Sequence, residues 1–490
     1  MREKSEMNTV NKAEEHGKPK ARNRVLMFAY FFPPLGGGGV QRTSKFVKYL
    51  PSFGWTPVVV TVNEGAYWVR DATLEEDVPS DVDVLRTSSM SMFYLLGFLP
   101  GGGSRGGGGQ RSGALFSFLR KLSSFFLVPD QYAGWVPFAI NGALRYMRKR
   151  PVSVVYSTSS PDSSHVAALL TKRLCGKPWV ADFRDPWTER LTFSPPTRLH
   201  LRLHRFLEAA VLKNADRVVC TSEEMVRDFL NKYPRLEPQK FFVITNGFDP
   251  DDFTGRVALR DEFTISHTGI LTGRRNVFGF LEGLRLFLER RPDAKSKMKV
   301  LFVGPRDREN ELKVRKLNLF DVVTFQDALP HRECVRLQRS SHVLLLIEDE
   351  SPRGALIYPA KVFEYGASGR PVLALVPEGA ASRFVRELEA GTVCSPSDPL
   401  QISNAISSFF VAHESRLPLN GIVDKRLLVP YERRELAKTL AQLLDALGVA
   451  SESKRAGSAG ASRHAPASPN PLQNHVKGAL SPGEKKFPIC

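Results

Sequence analysis

Cysteine is scarce in this chain and does not pair by spacing. Cys175, Cys220, Cys334, Cys394 and Cys490 are spread over 490 residues with no C-x-x-C. An odd number so placed excludes a disulfide framework and a zinc module, and suits a reducing compartment. Long apolar runs are also missing, since none approaches the ~18–20 residues of a membrane span. The first 24 residues mix Lys and Arg with four glutamates and lack an apolar core, which argues against a secretory signal. The expected location is therefore the cytoplasm. No RNP, zinc-finger or basic-zipper pattern is present, so nucleic acid is not an expected partner. Composition excludes a largely disordered chain: 42 % of residues are hydrophobic and 24 % charged.

What the chain has in excess is positive charge, +18 in total, most of it between the two termini. A basic body attracts phosphorylated small molecules or anionic lipid, although solubility alone also accounts for it. Residues 1–23 read as a solvated leader. From Arg24 the pattern becomes strand, glycine loop, helix, strand: the apolar run Arg24–Tyr30, then Gly36–Gly39, then helical spacing over Val40–Phe53, then Thr56–Thr61. Strand patterns continue at Val82–Leu85, Val152–Ser157, Trp179–Phe183, Arg217–Thr221 and Phe241–Thr245. A second series follows at Phe263–Thr268, Lys299–Val303, Val322–Phe325, His342–Ile347, Pro371–Leu375 and Gly391–Cys394. Helical stretches, among them His165–Leu174, Leu201–Lys213, Val277–Glu289, Pro359–Ala367 and Ala380–Glu389, separate many of these strands. The expectation is an α/β protein of two doubly wound, Rossmann-like domains, 24–245 and 246–450, closed by a helix over 431–447. A glycine-rich insert at about 100–112 and a Ser/Ala/Gly/Pro-rich tail over 451–490 should be flexible.

Gly36–Gly39 follows the first strand and opens a helix. Glycines there, Gly38 and Gly39 included, allow close backbone approach, and the helix N-terminus offers free N–H groups to a diphosphate. The alternative is a plain flexible turn. The dinucleotide fingerprint fails, because its third glycine is replaced by Gln41 or Arg42 according to register, and no G-x-x-x-x-G-K-[ST] loop is present. Asp81-Val-Asp83 superficially resembles a metal-binding D-x-D. It opens a strand and reads as surface, so no metal is expected.

Phe31-Phe-Pro-Pro-Leu-Gly-Gly-Gly-Gly-Val-Gln-Arg42 resembles the opening motif of GT-B fold glycosyltransferase family 4. The blocks Tyr156–His165, Trp179–Trp187, Asn214–Cys220, Thr245–Asp249, His267–Leu271 and Lys361–Tyr365 are similar to later blocks of that family, in the same order, over about Arg24–Leu447. The resemblance implies two domains facing a cleft, a nucleotide sugar held by the second, and transfer to an acceptor with retention. It also implies no cofactor and no metal, because cationic side chains and helix ends neutralise the departing diphosphate.

Residue by residue, the resemblance assigns Arg274, Arg275 and Lys361 to the donor phosphates and Glu364 to the ribose. Arg275 and Lys361 then also count as catalytic. The family's earlier glutamate falls at Leu356 and is absent; Glu348 or Glu350 could stand in for it. In the first domain, His165 is a candidate for orienting or deprotonating the acceptor hydroxyl; Asp185 counts with it as catalytic, its pair with Arg184 organising the cleft or contacting an anionic acceptor, and Asp182, Arg184, Asn246 and Gly247 line the cleft. Each has a plainer reading: a solvated turn for Arg274 and Arg275, an i,i+3 pair for Lys361 and Glu364, a helix-end hydrogen bonder for His165 and a loop-fixing salt bridge for Arg184-Asp185.

The implied activity is sugar transfer from a nucleotide sugar to a glycan or lipid-linked acceptor in cell-surface polysaccharide or glycolipid synthesis. A nucleotide-sugar epimerase of the same fold, or a lapsed transferase that only binds, remains open. Leu115–Leu127 mixes Phe and Leu with Arg120 and Lys121. It either packs on the first domain or lies on an anionic leaflet, which would make the protein peripheral on the inner face of the membrane.

Overall fold

The computed structural model describes residues 23–36, 38–63, 74–90 and 125–457, with side chains to residue 448. The leader, the glycine insert, most of the Leu115–Leu127 stretch and the tail beyond Gly457 lie outside the described residues. Chain contacts divide the protein into a unit Met1–Gly448 and a unit Val449–Cys490.

The first sheet is wholly parallel, in the order β3-β2-β1-β4-β5-β6-β7. Its strands are β1 (Asn23–Phe28), β2 (Trp55–Val62), β3 (Asp83–Thr87), β4 (Val154–Ser159), β5 (Trp179–Phe183), β6 (Arg217–Cys220) and β7 (Phe241–Val243). β1 lies centrally and is apolar on both faces. Leu26 and Phe28 enter one core; Val25 and Met27 enter the other. The helices α1 (Gly38–Tyr49), α2 (Val136–Lys149), α3 (Ser163–Cys175), α4 (Arg198–Asn214) and α5 (Glu223–Lys232) belong to this half.

The second sheet, also parallel, has the order β10-β9-β8-β11-β12-β13. It comprises β8 (Phe263–Thr268), β9 (Met298–Val303), β10 (Val323–Gln326), β11 (Val343–Ile347), β12 (Val372–Leu375) and β13 (Gly391–Cys394). Its helices are α6 (Phe278–Arg290), α7 (Arg308–Lys316), α8 (His331–Ser340), α9 (Ala360–Ala367), α10 (Ala380–Glu387) and α11 (Pro399–Glu414). Two parallel sheets with flanking helices make the GT-B fold. No helix among the described residues is long and apolar enough to cross a membrane.

The last helix, α12 (Arg433–Gly457), returns to the first sheet. Leu436, Leu440, Leu443, Leu444 and Leu447 pack on Val25, Met27, Trp55 and Val59, and the Trp55 indole donates to Asp445 at 2.8 Å. The closing helix assigned to the second domain therefore buries its apolar stripe in the first. The chain thus passes between the halves twice, and the passages are hydrogen-bonded to each other. Phe248 N donates to Tyr431 O at 3.1 Å and Arg433 N to Phe248 O at 2.8 Å. Gly247 is glycine because a Cβ would stand 2.0 Å from Tyr431 O; close approach, not positive φ, explains it.

Candidate active site

Ligands of doubly wound sheets bind beyond the carboxyl ends of the strands. In the second sheet, β8 ends at Thr268-Gly269 and β9 at Val303-Gly304. Gly269 (φ +136°) and Gly304 (φ +132°) adopt conformations suited to glycine, and a Cβ on Gly304 would strike Gly269 O at 2.3 Å. The space above Gly269 belongs to Lys361, from the first turn of α9. No carboxylate lies within 4 Å of its ammonium among the described residues. Burial pulls the ammonium down to about 8, against the pull of Glu348 and Glu364.

Arg275 turns inward, to 2.5 Å from Glu348, at the end of β11. The contact is ionic but poorly aligned: Arg275 Nε and Glu348 Oε2 are both buried and form no hydrogen bond. Burial leaves the Glu348 carboxyl above its usual range despite Arg275 and Lys361. Glu350 instead accepts from Ser395 and Ser397 at the surface. Arg274 is 79 % exposed and 3.9 Å from Asp349, a solvated turn residue.

Glu364, one turn beyond Lys361 on α9, accepts from Gln338 at 3.4 Å and lies 3.1 Å from His331 Nε2. Burial raises its carboxyl, but His331, Gln338 and Arg433 outweigh that and hold it low. The Arg433 guanidinium is buried with Nη1 unpartnered; burial and the charge of Arg42 drag it down to about 10 against the pull of Glu364. Lys361 thus feels the charges of Glu348, Arg275 and Glu364, and Glu364 feels that of Arg433. Sequence reasoning missed Arg433, His331 and Gln338. Arg433 lies at the start of the returning helix, outside every motif quoted, and α8 is too polar to announce itself.

The first sheet supplies the facing wall. Asp185, just past β5, has no cation within 4 Å among the described residues, and its charge is felt by Glu348 of the second half. The wall is held close by Arg353 to Glu189 at 3.2 Å, Ser222 Oγ to Leu356 O at 2.9 Å and Asn246 Nδ2 to Tyr358 O at 3.3 Å.

Other residues expected at the cleft have structural work instead. Asp182 is fully buried and accepts from Arg42 Nε and Nη2 at 2.8 Å each, from Tyr156 at 2.5 Å and from Thr158 at 3.2 Å. Arg42 also donates to Thr245 O at 2.6 Å and Ile244 O at 2.9 Å, tying the glycine-loop helix to the interdomain segment. Arg184 clasps backbone: it donates to Ser159 O, Ser160 O and Gly39 O. A Cβ on Gly39 would stand 2.6 Å from that guanidinium, so Gly39 is glycine to admit Arg184. Gly38 is the first residue of α1, and Gly37 lies outside the described residues.

His165 is buried in the core, 4.4 Å from the Phe183 ring between centroids. The Trp179 indole donates to Ser157 Oγ at 2.8 Å, and Ser157 Oγ lies 2.8 Å from His165 Nδ1. Burial pulls the imidazole down to about 3, so it stays neutral, and its Nε2 is unpartnered. The structure does not bring it to Arg275, Lys361 and Glu364. Asp83 of the D-x-D pair accepts from Tyr146 and Arg150, a surface contact.

Residues 37–247 match the family described as glycosyl transferase 4-like domain. No match was found among curated proteins. HepE of Anabaena, solved with UDP, superposes with TM-score 0.59 at 13 % identity, covering 86 % of this chain and all of that one. Sucrose-phosphate synthase of Thermosynechococcus elongatus gives 0.59 at 16 %, over 88 % of this chain and all of that one. WaaG, a glycosyltransferase of lipopolysaccharide biosynthesis, gives 0.51 at 14 %, over 86 % and 95 %. The chain has the GT-B fold of these proteins, and the segment 37–247 is similar to a glycosyl transferase 4-like domain.

Proposed function

We propose that this protein transfers a sugar from a nucleotide-sugar donor to a glycan or lipid-linked acceptor, with retention, in cell-surface polysaccharide or glycolipid synthesis. The observation that carries the reading is Lys361 above Gly269, beside the inward-turned Arg275 and one helical turn from Glu364. Two cations at the ends of parallel strands suit a diphosphate that gains charge as its bond to the sugar breaks. Glu364, kept ionised, suits a pair of ribose hydroxyls. Glu348 lies where a sugar hydroxyl could replace its misaligned contact with Arg275. Asp185, across the cleft, is the group suited to take the acceptor proton. That HepE was solved with UDP supports a uridine nucleotide among the donors to be tried.

A lapsed transferase is the second reading, favoured by Leu356 in place of the family's earlier glutamate. The epimerase alternative needs histidines and acids poised to shuttle protons. His165 and His267 are both buried with imidazoles held neutral, so that chemistry would fall to His331 beside Glu364. The test is release of nucleoside diphosphate from a panel of UDP-, GDP- and ADP-sugars. Turnover supports the transferase; tight binding with none supports the lapsed form. Glu364→Ala and Arg275→Ala should each lower turnover at least ~10²-fold. Near-normal activity in both refutes the donor site.

A further inference from the structure

The N-terminal half of helix α4 is amphipathic in the reversed sense. His200, His204 and Glu208 face inward, while Leu199 (72 % exposed), Leu203 (40 %) and Phe206 (68 %) form one outward stripe at i, i+4 and i+7. Phe126, 72 % exposed, stands on the neighbouring segment. That segment is fastened to α4, because His200 Nε2 donates to Phe125 O at 2.8 Å.

The orientation of α4 is fixed by its polar face. Thr197 Oγ1 meets His200 Nδ1 at 2.8 Å, and the Trp187 indole donates to His204 Nδ1 at 3.1 Å. Glu208 accepts from Thr188 N at 3.0 Å, from Thr188 Oγ1 at 2.9 Å and from Tyr233 at 2.6 Å. Rolling the helix to hide its leucines would break all of these and strand a buried carboxylate.

The exposed face also carries Arg198, Arg202 and Arg205 and no acid, since Glu208, the only acidic residue of α4, is buried. Apolar side chains interleaved with arginines match a layered partner, an apolar interior beneath a plane of phosphates. Two copies of this face would set like charges against each other, which disfavours self-association. We infer that the outward face of α4, with Phe126, docks on an anionic lipid bilayer. Its inner face holds Trp187 and Thr188, which follow Asp185 closely in the chain, so the docked surface lies one helix from the cleft.

The experiment is co-sedimentation of the full chain with phosphatidylcholine vesicles with and without phosphatidylglycerol, at low and high salt. The protein should pellet only with anionic vesicles and be released by salt. Leu199→Ser/Phe206→Ser and Arg198→Gln/Arg202→Gln/Arg205→Gln should each cut the bound fraction at least ~10-fold. All the replaced side chains face solvent, and melting curves should match wild type. Absent wild-type binding, or variants that bind as wild type does, overturns the inference. So does sedimentation velocity showing a dimer that the Ser variant dissolves while vesicles bind nothing. Vesicle binding needs no sugar turnover, so this result and the donor-site result fail independently.

Discussion

The Lys361 ammonium fills the space that a Cβ on Gly269 would need; the two would be 2.1 Å apart. Gly269 also sits at φ +136°, a conformation that side chains resist. Gly269→Ala should therefore strain the loop by about 1–3 kcal/mol and push the ammonium off the strand end. The expected outcome is at least ~10-fold weaker binding of the nucleoside diphosphate by calorimetry, with the fold retained. Unchanged affinity would remove Lys361 from the donor site.

Burial sets the Lys361 ammonium at about 8, so it is charged below that pH and neutral above. An anionic donor needs the charged form. The kcat/KM profile should be flat below about 8 and fall towards tenfold per pH unit above it. Lys361→Met should lower the plateau and abolish that limb. A limb that survives in the Met variant belongs to another group.

How much of this was legible in the chain depends on whether the determining contacts are local. Trp179–Phe183, Phe263–Thr268 and Gly391–Cys394 are strands at the bounds expected of them, because each is a short segment set off by turn residues. Lys361 and Glu364 sit in one motif on one helix, so the sequence presents them together. Arg184, which its motif places at the cleft, serves backbone carbonyls 24 and 145 residues away. Nothing in its neighbourhood signals that, nor the pairing of Arg42 with Asp182 across 140 residues. α8 buries only Val335, Leu337 and Gln338, too weak a stripe to mark a helix that supplies two partners of Glu364.

Arg42 and Asp182 form a fully buried, two-pronged pair. Arg42→Met leaves Asp182 charged in the core with only hydroxyl donors, and frees two buried carbonyls. The cost should be about 3–5 kcal/mol in urea unfolding. Adding Asp182→Asn removes the stranded charge and should recover part of that loss. A double variant no better than the single would show that the lost carbonyl contacts at Ile244 and Thr245 dominate.

His331 and Glu364 make the last test, one of pH. Burial alone would lower the imidazole, but Glu364 outweighs it and His331 is raised above 6.5; Glu364 is held below 4.5. The raised histidine contributes stability that is full below 6.5 and is lost as pH climbs through its folded value. The depressed glutamate contributes stability that is full above 4.5 and is lost as pH falls through its folded value. The pair therefore stabilises most between these two limits. His331→Gln should lower Tm most near pH 5.5 and progressively less above pH 7, where the wild-type imidazole is losing its proton. A Tm difference that stays constant from pH 5 to 9 would mean that packing, not charge, is what His331 contributes.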